Sequence, residues 1–306
     1  MTSNPFVGSE ALASGLVRKH ELRTRYRVVF PDVYVEKDTV LTMYTRAEAA
    51  WLWSHREGVI AGRTAAALHG AKWVDEDKPV EIMWRNARPP RGLHTSDSSL
   101  RRDEYGRHGD VQITTVVRTA FDVGRCASLD DAVANLDALG NATRFRAADV
   151  LDLAERHRGA RRIRRLRTAL ELYDPRAESP RETWLRLLLI RAGYPRPRTQ
   201  IPVLRADGRS KYYLDMGWEE QMVAVEYDGD HHRTDPSAMR TTSNARRNSP
   251  PSDGRSFGSS KAIVRPTSCG ESTRPGHRDC CEIAESSKSV IWQQSRRQRT
   301  RARGVR

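Results

Sequence analysis

The chain has 306 residues, enough for two domains that each bury a core of their own. Its hydrophobic fraction of 38% and mean hydropathy of -0.71 are low for one continuous globular fold, so some segment is expected to stay outside any core. The net charge of +14 suits a nucleic-acid partner, yet residues 237–306 hold 15 Lys and Arg against 5 Asp and Glu, so 10 of the 14 positive charges belong to the last quarter and the body is only mildly basic.

The start, MTSNPFVGSEALASG, has neither a basic leader nor an apolar stretch of signal-peptide length, and no apolar run of about 18 residues follows. A cytoplasmic protein without a membrane span is expected. Residues 1–44 have the pattern of a helix-turn-helix followed by a hairpin: a cap-like Ser9 before EALASG, a break at Gly15, the helical LVRKHELRTR, then RVVF and VYV around Pro31 and Asp32. One reading is a winged-helix-like DNA-binding module; the other is two short helices and a hairpin that simply pack on the next domain. Residues 45–146 read as an α+β domain. TRAEAAWLWSHREG and RTAAALHGAKW are helical in character, PVEIMW and VQITTV alternate as strands, and RTAFDVGR and LDDAVANLDAL return to helical spacing. Nothing in this stretch has the spacing of a catalytic triad, a phosphate loop or a metal site.

Residues 147–177 read as a basic helical linker. In RGARRIRRLRTAL, Arg161, Arg162, Arg164, Arg165 and Arg167 punctuate Ile163, Leu166 and Leu170, which puts guanidinium groups on outer faces where they could follow a phosphate backbone. A solvated linker helix is the alternative. The next helix begins at Pro180, with an apolar face of Trp184, Leu185, Leu188 and Leu189 and a stop at Gly193; Glu182 lies in its first turn, where the plain reading is a carboxylate that suits the helix dipole. A meander follows: RTQIPVL, a turn at 206–208, KYYLDMGW, a turn at Glu219 and Glu220, then MVAVEYDG. Alternation puts Glu226 and Asp228 on one strand face, and an antiparallel turn at Glu219 can bring Asp215 opposite Glu226. Carboxylates that close resist ionising together unless a cation neutralises them, and hard oxygen ligands suit Mg²⁺. A solvent-facing acidic hairpin is the plainer alternative. His231 and His232 lie just beyond, where they could supply acid-base help or hold a phosphate oxygen.

Two resemblances follow from these residues. ITTVVRTAFDVGR, at 113–125, after a winged-helix-like start, resembles antitoxin-type proteins of the AbiEi group, although Val116 and Val117 stand where the common form has a proline shortly before the Arg-Thr pair. It covers about the first 150 residues and implies DNA binding or autoregulation, with a cognate toxin as partner. The series Glu182, Gln200, Asp215 and VEYDGDHH closely resembles the Vsr-like, DUF559 branch of the PD-(D/E)xK nuclease superfamily. That resemblance implies Asp215 and Glu226 as ligands of Mg²⁺ or Mn²⁺, Glu182 as an auxiliary carboxylate, and DNA as substrate; Asp228 stands where many members keep a lysine, a departure that leaves the general base open, with His231 or His232 as the candidate.

The same resemblance implies a further helix and buried strand after the acidic strand. Residues 237–306 instead are rich in Ser, Arg, Pro and Gly, lack a sustained period, and hold Cys269, Cys280 and Cys281, whose spacing, with Cys126, fits neither a disulfide framework nor a zinc knuckle. A disordered tail is one explanation. The other is a frameshift near residues 235–242: read one base displaced from GC-rich codons, 242–268 can encode DIKRAEKLAAVGRSFVRVVKGDRPTDV followed by VRRV, an amphipathic helix, a glycine stop and a β-branched strand. The expected fold class is therefore α+β: a winged-helix-like α+β module, then at 178–236 a restriction-endonuclease-like α/β core that lacks its last helix and strand, then a disordered tail. An unstable or weakly active nuclease is expected.

Overall fold

The computed structural model describes residues 4–85, 88–126, 128–204, 211–221 and 223–227, together with the backbone of Ser289–Gln293. The chain is α+β, and its contacts divide it into two units, Met1–Thr183 and Trp184–Arg306.

In the first unit, β1 (Phe6–Val7), α1 (Gly8–Ala13), α2 (Lys19–Thr24), β2 (Tyr26–Phe30) and β3 (Val33–Glu36) form a small module whose antiparallel strands lie in the order β1-β3-β2. Ala11, Val17 and Leu22 are buried against Phe6, Tyr26 and Tyr34, which is why two helices of six residues persist although neither is long enough to be stable alone. Ser9 does not cap α1. Its N–H and hydroxyl bond the Asp32 carboxylate at 3.0 and 2.5 Å, tying α1 to the β2-β3 turn, where Asp32 is left-handed.

The rest of this unit is a mixed five-stranded sheet with helices packed on it. Its elements are α3 (Met43–Trp53), β4 (Val59–Ile60), α4 (Gly62–Leu68), β5 (Val80–Met83), β6 (Leu93–Ser96), a 3-10 turn at Arg102–Glu104, β7 (Tyr105–His108), β8 (Val111–Thr114), α5 (Val116–Val123), α6 (Leu129–Thr143), α7 (Ala147–Arg156) and α8 (Ile163–Leu172). The strand order is β6-β5-β4-β8-β7, with parallel pairs at β4-β8 and β5-β6. Phe30 and Val33 of the N-terminal hairpin share one buried cluster with Ala47, Trp51, Ile60, Ile82 and Ile113, so the hairpin packs into the core of the sheet while α1 and α2 keep a small cluster of their own. The two-residue β4 escapes the sequence pattern because helical stretches flank it, and Gly62 follows at a φ of +56°, where a Cβ would lie 1.7 Å from the Glu81 carboxylate. Residues 147–177 are not a solvated linker. A tight turn at 157–162 separates α7 from α8, and Val150, Leu153, Ala154, Leu166, Ala169 and Leu170 are buried.

The segment leading to the next helix is held by side chains of the first unit. Asp137 accepts the Asp174 N–H and the Thr183 hydroxyl, both at 2.7 Å, Asn141 donates to the Pro175 and Ala177 carbonyls, and the Trp73 indole donates to the Glu178 carbonyl at 2.8 Å. Helix α9 (Pro180–Arg191) begins there and ends as expected, Gly193 adopting a φ of +86° while the Tyr194 N–H reaches back to the Leu189 carbonyl.

The second unit is an antiparallel sheet of β9 (Arg198–Leu204), β10 (Lys211–Trp218), β11 (Val223–Tyr227) and β12 (Ser289–Gln293), in the order β12-β11-β10-β9. Leu185, Met216 and Val225 are buried together with Leu189, Trp218 and Tyr227 against them. Trp184, expected on this apolar face, is instead 42% exposed, and Leu187 is buried in addition. The strand β12 lies within 237–306, where the sequence predicts no ordered element. SVIWQ is a short β-branched and aromatic run, and it pairs with the edge of β11 that would otherwise present unpaired backbone groups. The remainder of 237–306, including the candidate frameshift at 242–268, lies outside the described residues.

Candidate functional site

The strand register decides which acids can meet. Between β10 and β11 the paired positions run Trp218↔Val223, Gly217↔Ala224 and Met216↔Val225 and stop there; one further step in that register would set Asp215 across from Glu226. Met216 and Val225 point into the core, and alternation sends Asp215 and Glu226 to the other face, where both are half-buried. The strands can close this tightly because position 217 is glycine: a Cβ there would lie 2.4 Å from the Val223 carbonyl oxygen. The Tyr227 N–H donates to Asp215 Oδ2 at 2.7 Å, which fixes the orientation of that carboxylate. Directly opposed residues bring their Cβ atoms to about 4.5–5.5 Å, a separation from which two carboxylates can converge on one ion.

The other expected members of the site are placed differently. Asp228, His231 and His232 lie outside the described residues. Glu182 belongs to the first unit and is buried in a cap: its carboxylate accepts the Ser179 hydroxyl at 2.9 Å and the Glu178 N–H at 3.1 Å, while the Glu182 N–H donates back to Ser179 Oγ at 3.2 Å. This reciprocal arrangement satisfies donors that a helix start leaves open. Among the described residues no group of three or more His, Cys, Asp or Glu is placed to hold a metal ion. Glu182→Gln should keep the cap, because the amide oxygen still accepts, whereas Glu182→Ala should cost about 0.5–2 kcal/mol in urea unfolding.

The five arginines of 161–167 separate into two groups. Arg165 Nη1 donates to the Cys126 carbonyl at 2.9 Å and Arg167 Nη2 pairs with Glu155 at 2.6 Å, so both serve the packing of α8. Arg161, Arg162 and Arg164 are exposed, the first two in the tight turn before α8, with Arg162 left-handed at a φ of +64°. On α2, Lys19, His20 and Arg23 are exposed while Leu22 is buried.

One cluster goes unnoticed in the sequence. Arg118, 2% exposed, pairs with the equally buried Glu104, and its Nε donates to Asp122 Oδ2 at 3.0 Å. Glu104 also meets His157 Nε2 at 2.7 Å, and Asp122 accepts Arg125 at 2.8 Å. The only advance signal is the four-residue spacing of Arg118 and Asp122. The Arg-Thr motif that carries the antitoxin resemblance thus faces inward: Arg118 ties α5 to the 3-10 turn and α7, and Thr119 bonds Thr114 at 2.7 Å.

No helix among the described residues is long and apolar enough to cross a membrane. No family model matches the chain. Two uncharacterized proteins of Mycobacterium tuberculosis, one from strain CDC 1551 and one from strain H37Rv, are each 31% identical to it over 182 residues, which is 58% of this chain. The chain spans 64% of the length of these relatives, less than two thirds, and resembles them over that stretch.

Proposed function

We propose that this protein is a cytoplasmic, metal-dependent DNA endonuclease of the Vsr-like PD-(D/E)xK kind, and the observation that carries this reading is the β10-β11 register, whose extension by one residue past Met216↔Val225 would oppose Asp215 to Glu226. The donor set fits the ion: two carboxylates on one face, one of them oriented by the Tyr227 N–H, are the hard oxygen ligands that Mg²⁺ or Mn²⁺ prefers. Asp215 and Glu226 would hold the cation, which when bound neutralises phosphodiester charge and makes water a better nucleophile. The chain's own contribution is placement. The Tyr227 N–H holds the Asp215 carboxylate in one orientation, which leaves less reorganisation for the reaction. Exposed Arg161, Arg162 and Arg164 are candidate phosphate contacts, and Asp228 and His231 remain candidates for proton transfer.

Incubating the full chain with supercoiled plasmid and with single-stranded DNA tests this. Mg²⁺ or Mn²⁺ should produce nicked or linear product, and excess chelator should stop it. Absence of any metal-dependent product, in a preparation that melts cooperatively, would remove the reading. Sequencing the gene across codons 235–243 tests the accompanying proposal that 237–306 is a shifted frame that impairs the enzyme.

A second reading is a non-catalytic DNA-binding regulator of the AbiEi antitoxin kind, with a cognate toxin as partner. The exposed Lys19, His20 and Arg23 on α2, in a two-helix and hairpin module, support it. Sequence-selective duplex binding that survives Asp215→Asn, without cutting by the unaltered protein, would favour it.

A further inference from the structure

The ladder between β9 and β10 keeps one register from Lys211↔Leu204 to Gly217↔Arg198, yet the pair expected midway, Gln200 with Asp215, is missing from it. Gln200 has a φ of +50°, in the left-handed region that a residue bearing a Cβ adopts only when its surroundings force it. Those surroundings are strong: Thr199 and Ile201 on either side are buried. On the other flank of β10, pairing to β11 ends at Met216↔Val225, and the Tyr227 N–H donates to the Asp215 carboxylate. The ladder to β9 is therefore interrupted at Asp215, and the ladder to β11 stops one residue before it.

A simple irregularity at positive φ calls for glycine or asparagine, which accept that backbone readily. Glutamine brings instead a carboxamide that both donates and accepts, on a side chain long enough to span the separation of about 5 Å between opposed positions. Resting on the metal-dependent reading above, we propose that Gln200 is a positioning residue for Asp215: its left-handed backbone opens the sheet there and sets the carboxamide beside the carboxylate. The Tyr227 N–H and the Gln200 amide then hold that acid from two sides, in the orientation that meets a divalent cation together with Glu226.

The test is a calorimetric Mn²⁺ titration and a melting curve on the full chain, with Gln200→Gly, Gln200→Asn and Asp215→Asn. Glycine accepts the backbone angle, so Gln200→Gly should melt at the wild-type temperature or above, while its Kd for Mn²⁺ rises about tenfold, as when a partner that orients a metal ligand is removed. Gln200→Asn, with a shorter amide, should fall between. Wild-type Mn²⁺ affinity in Gln200→Gly overturns the proposal, because the backbone conformation alone would then suffice. If that variant does not fold, wild-type affinity in Gln200→Asn overturns it equally. Failure of the parent reading looks different: Mn²⁺ heats in the unaltered protein that do not change in Asp215→Asn place no cation at Asp215, and both proposals fall together.

Discussion

Replacing Arg118 by methionine should lower the unfolding free energy by about 3–5 kcal/mol, the usual cost of removing one partner from a buried ion pair. The guanidinium serves Glu104, Asp122 and the Ser99 carbonyl at once, and Glu104 is only 1% exposed, so water cannot replace what is lost. Adding Glu104→Gln to Arg118→Met should restore part of that stability, because the stranded charge is gone, and a double-mutant cycle in urea reads the difference. A loss under about 1 kcal/mol would mean that the cluster behaves as an exposed pair does. The same cluster sets an acid limit. Burial pushes the Glu104 carboxyl up, but hydrogen bonds from His157 and Arg118 together outweigh it and hold the pKa below its ordinary 4.5. A depressed carboxyl adds stability that is complete above the unfolded value and vanishes as pH falls through the folded one. Stability should therefore drop on acidification below about pH 4.5, and Glu104→Gln should flatten that part of the curve.

Cleavage by Asp215→Asn should fall by about 100-fold or more, the scale on which removing one preorganised electrostatic group is felt. The substitution is discriminating because Asn Oδ1 can still accept the Tyr227 N–H, so the strand pairing survives and only the charge is removed. Metal-free Asp215→Asn should melt no lower than the unaltered protein, since one of two facing negative charges is gone. Glu226→Gln should behave alike. Full activity in either variant, with the fold intact, would show that the opposed acids are not the ligands.

Most of the first unit was legible because its helices and strands follow their periods: PVEIMW contains β5, VQITTV contains β8, and LDDAVANLDAL lies within α6, capped by Ser128. The meander was legible for the same reason, and with it the antiparallel register of β10 and β11 that runs up to Met216↔Val225. What escaped depends on contacts distant in sequence. Ser9 bonds Asp32 rather than its own helix, because the hairpin turn offers a carboxylate at short range. The arginines of 161–167 read as one charged helix, but a left-handed Arg162 breaks it, and the turn lets Arg165 reach the Cys126 carbonyl. Glu182 is ambiguous for a local reason: Ser179 three residues before it has the spacing of a capping box, and the bonds to Ser179 and Glu178 show that the cap forms. The left-handed Gln200 is silent in sequence, since glutamine gives no warning of that geometry.

The bonds around Asp137 bear on how this protein can be taken apart. The natural cut, between Thr183 and Trp184, falls inside α9, and the groups that start that helix sit upstream of it. A fragment beginning at Trp184 would lack Ser179, Glu182 and the Asp137 tie, leaving helix α9 frayed at the beginning and Leu185 poorly anchored over the sheet. Proteolysis or gene dissection at that point should release a second half that aggregates.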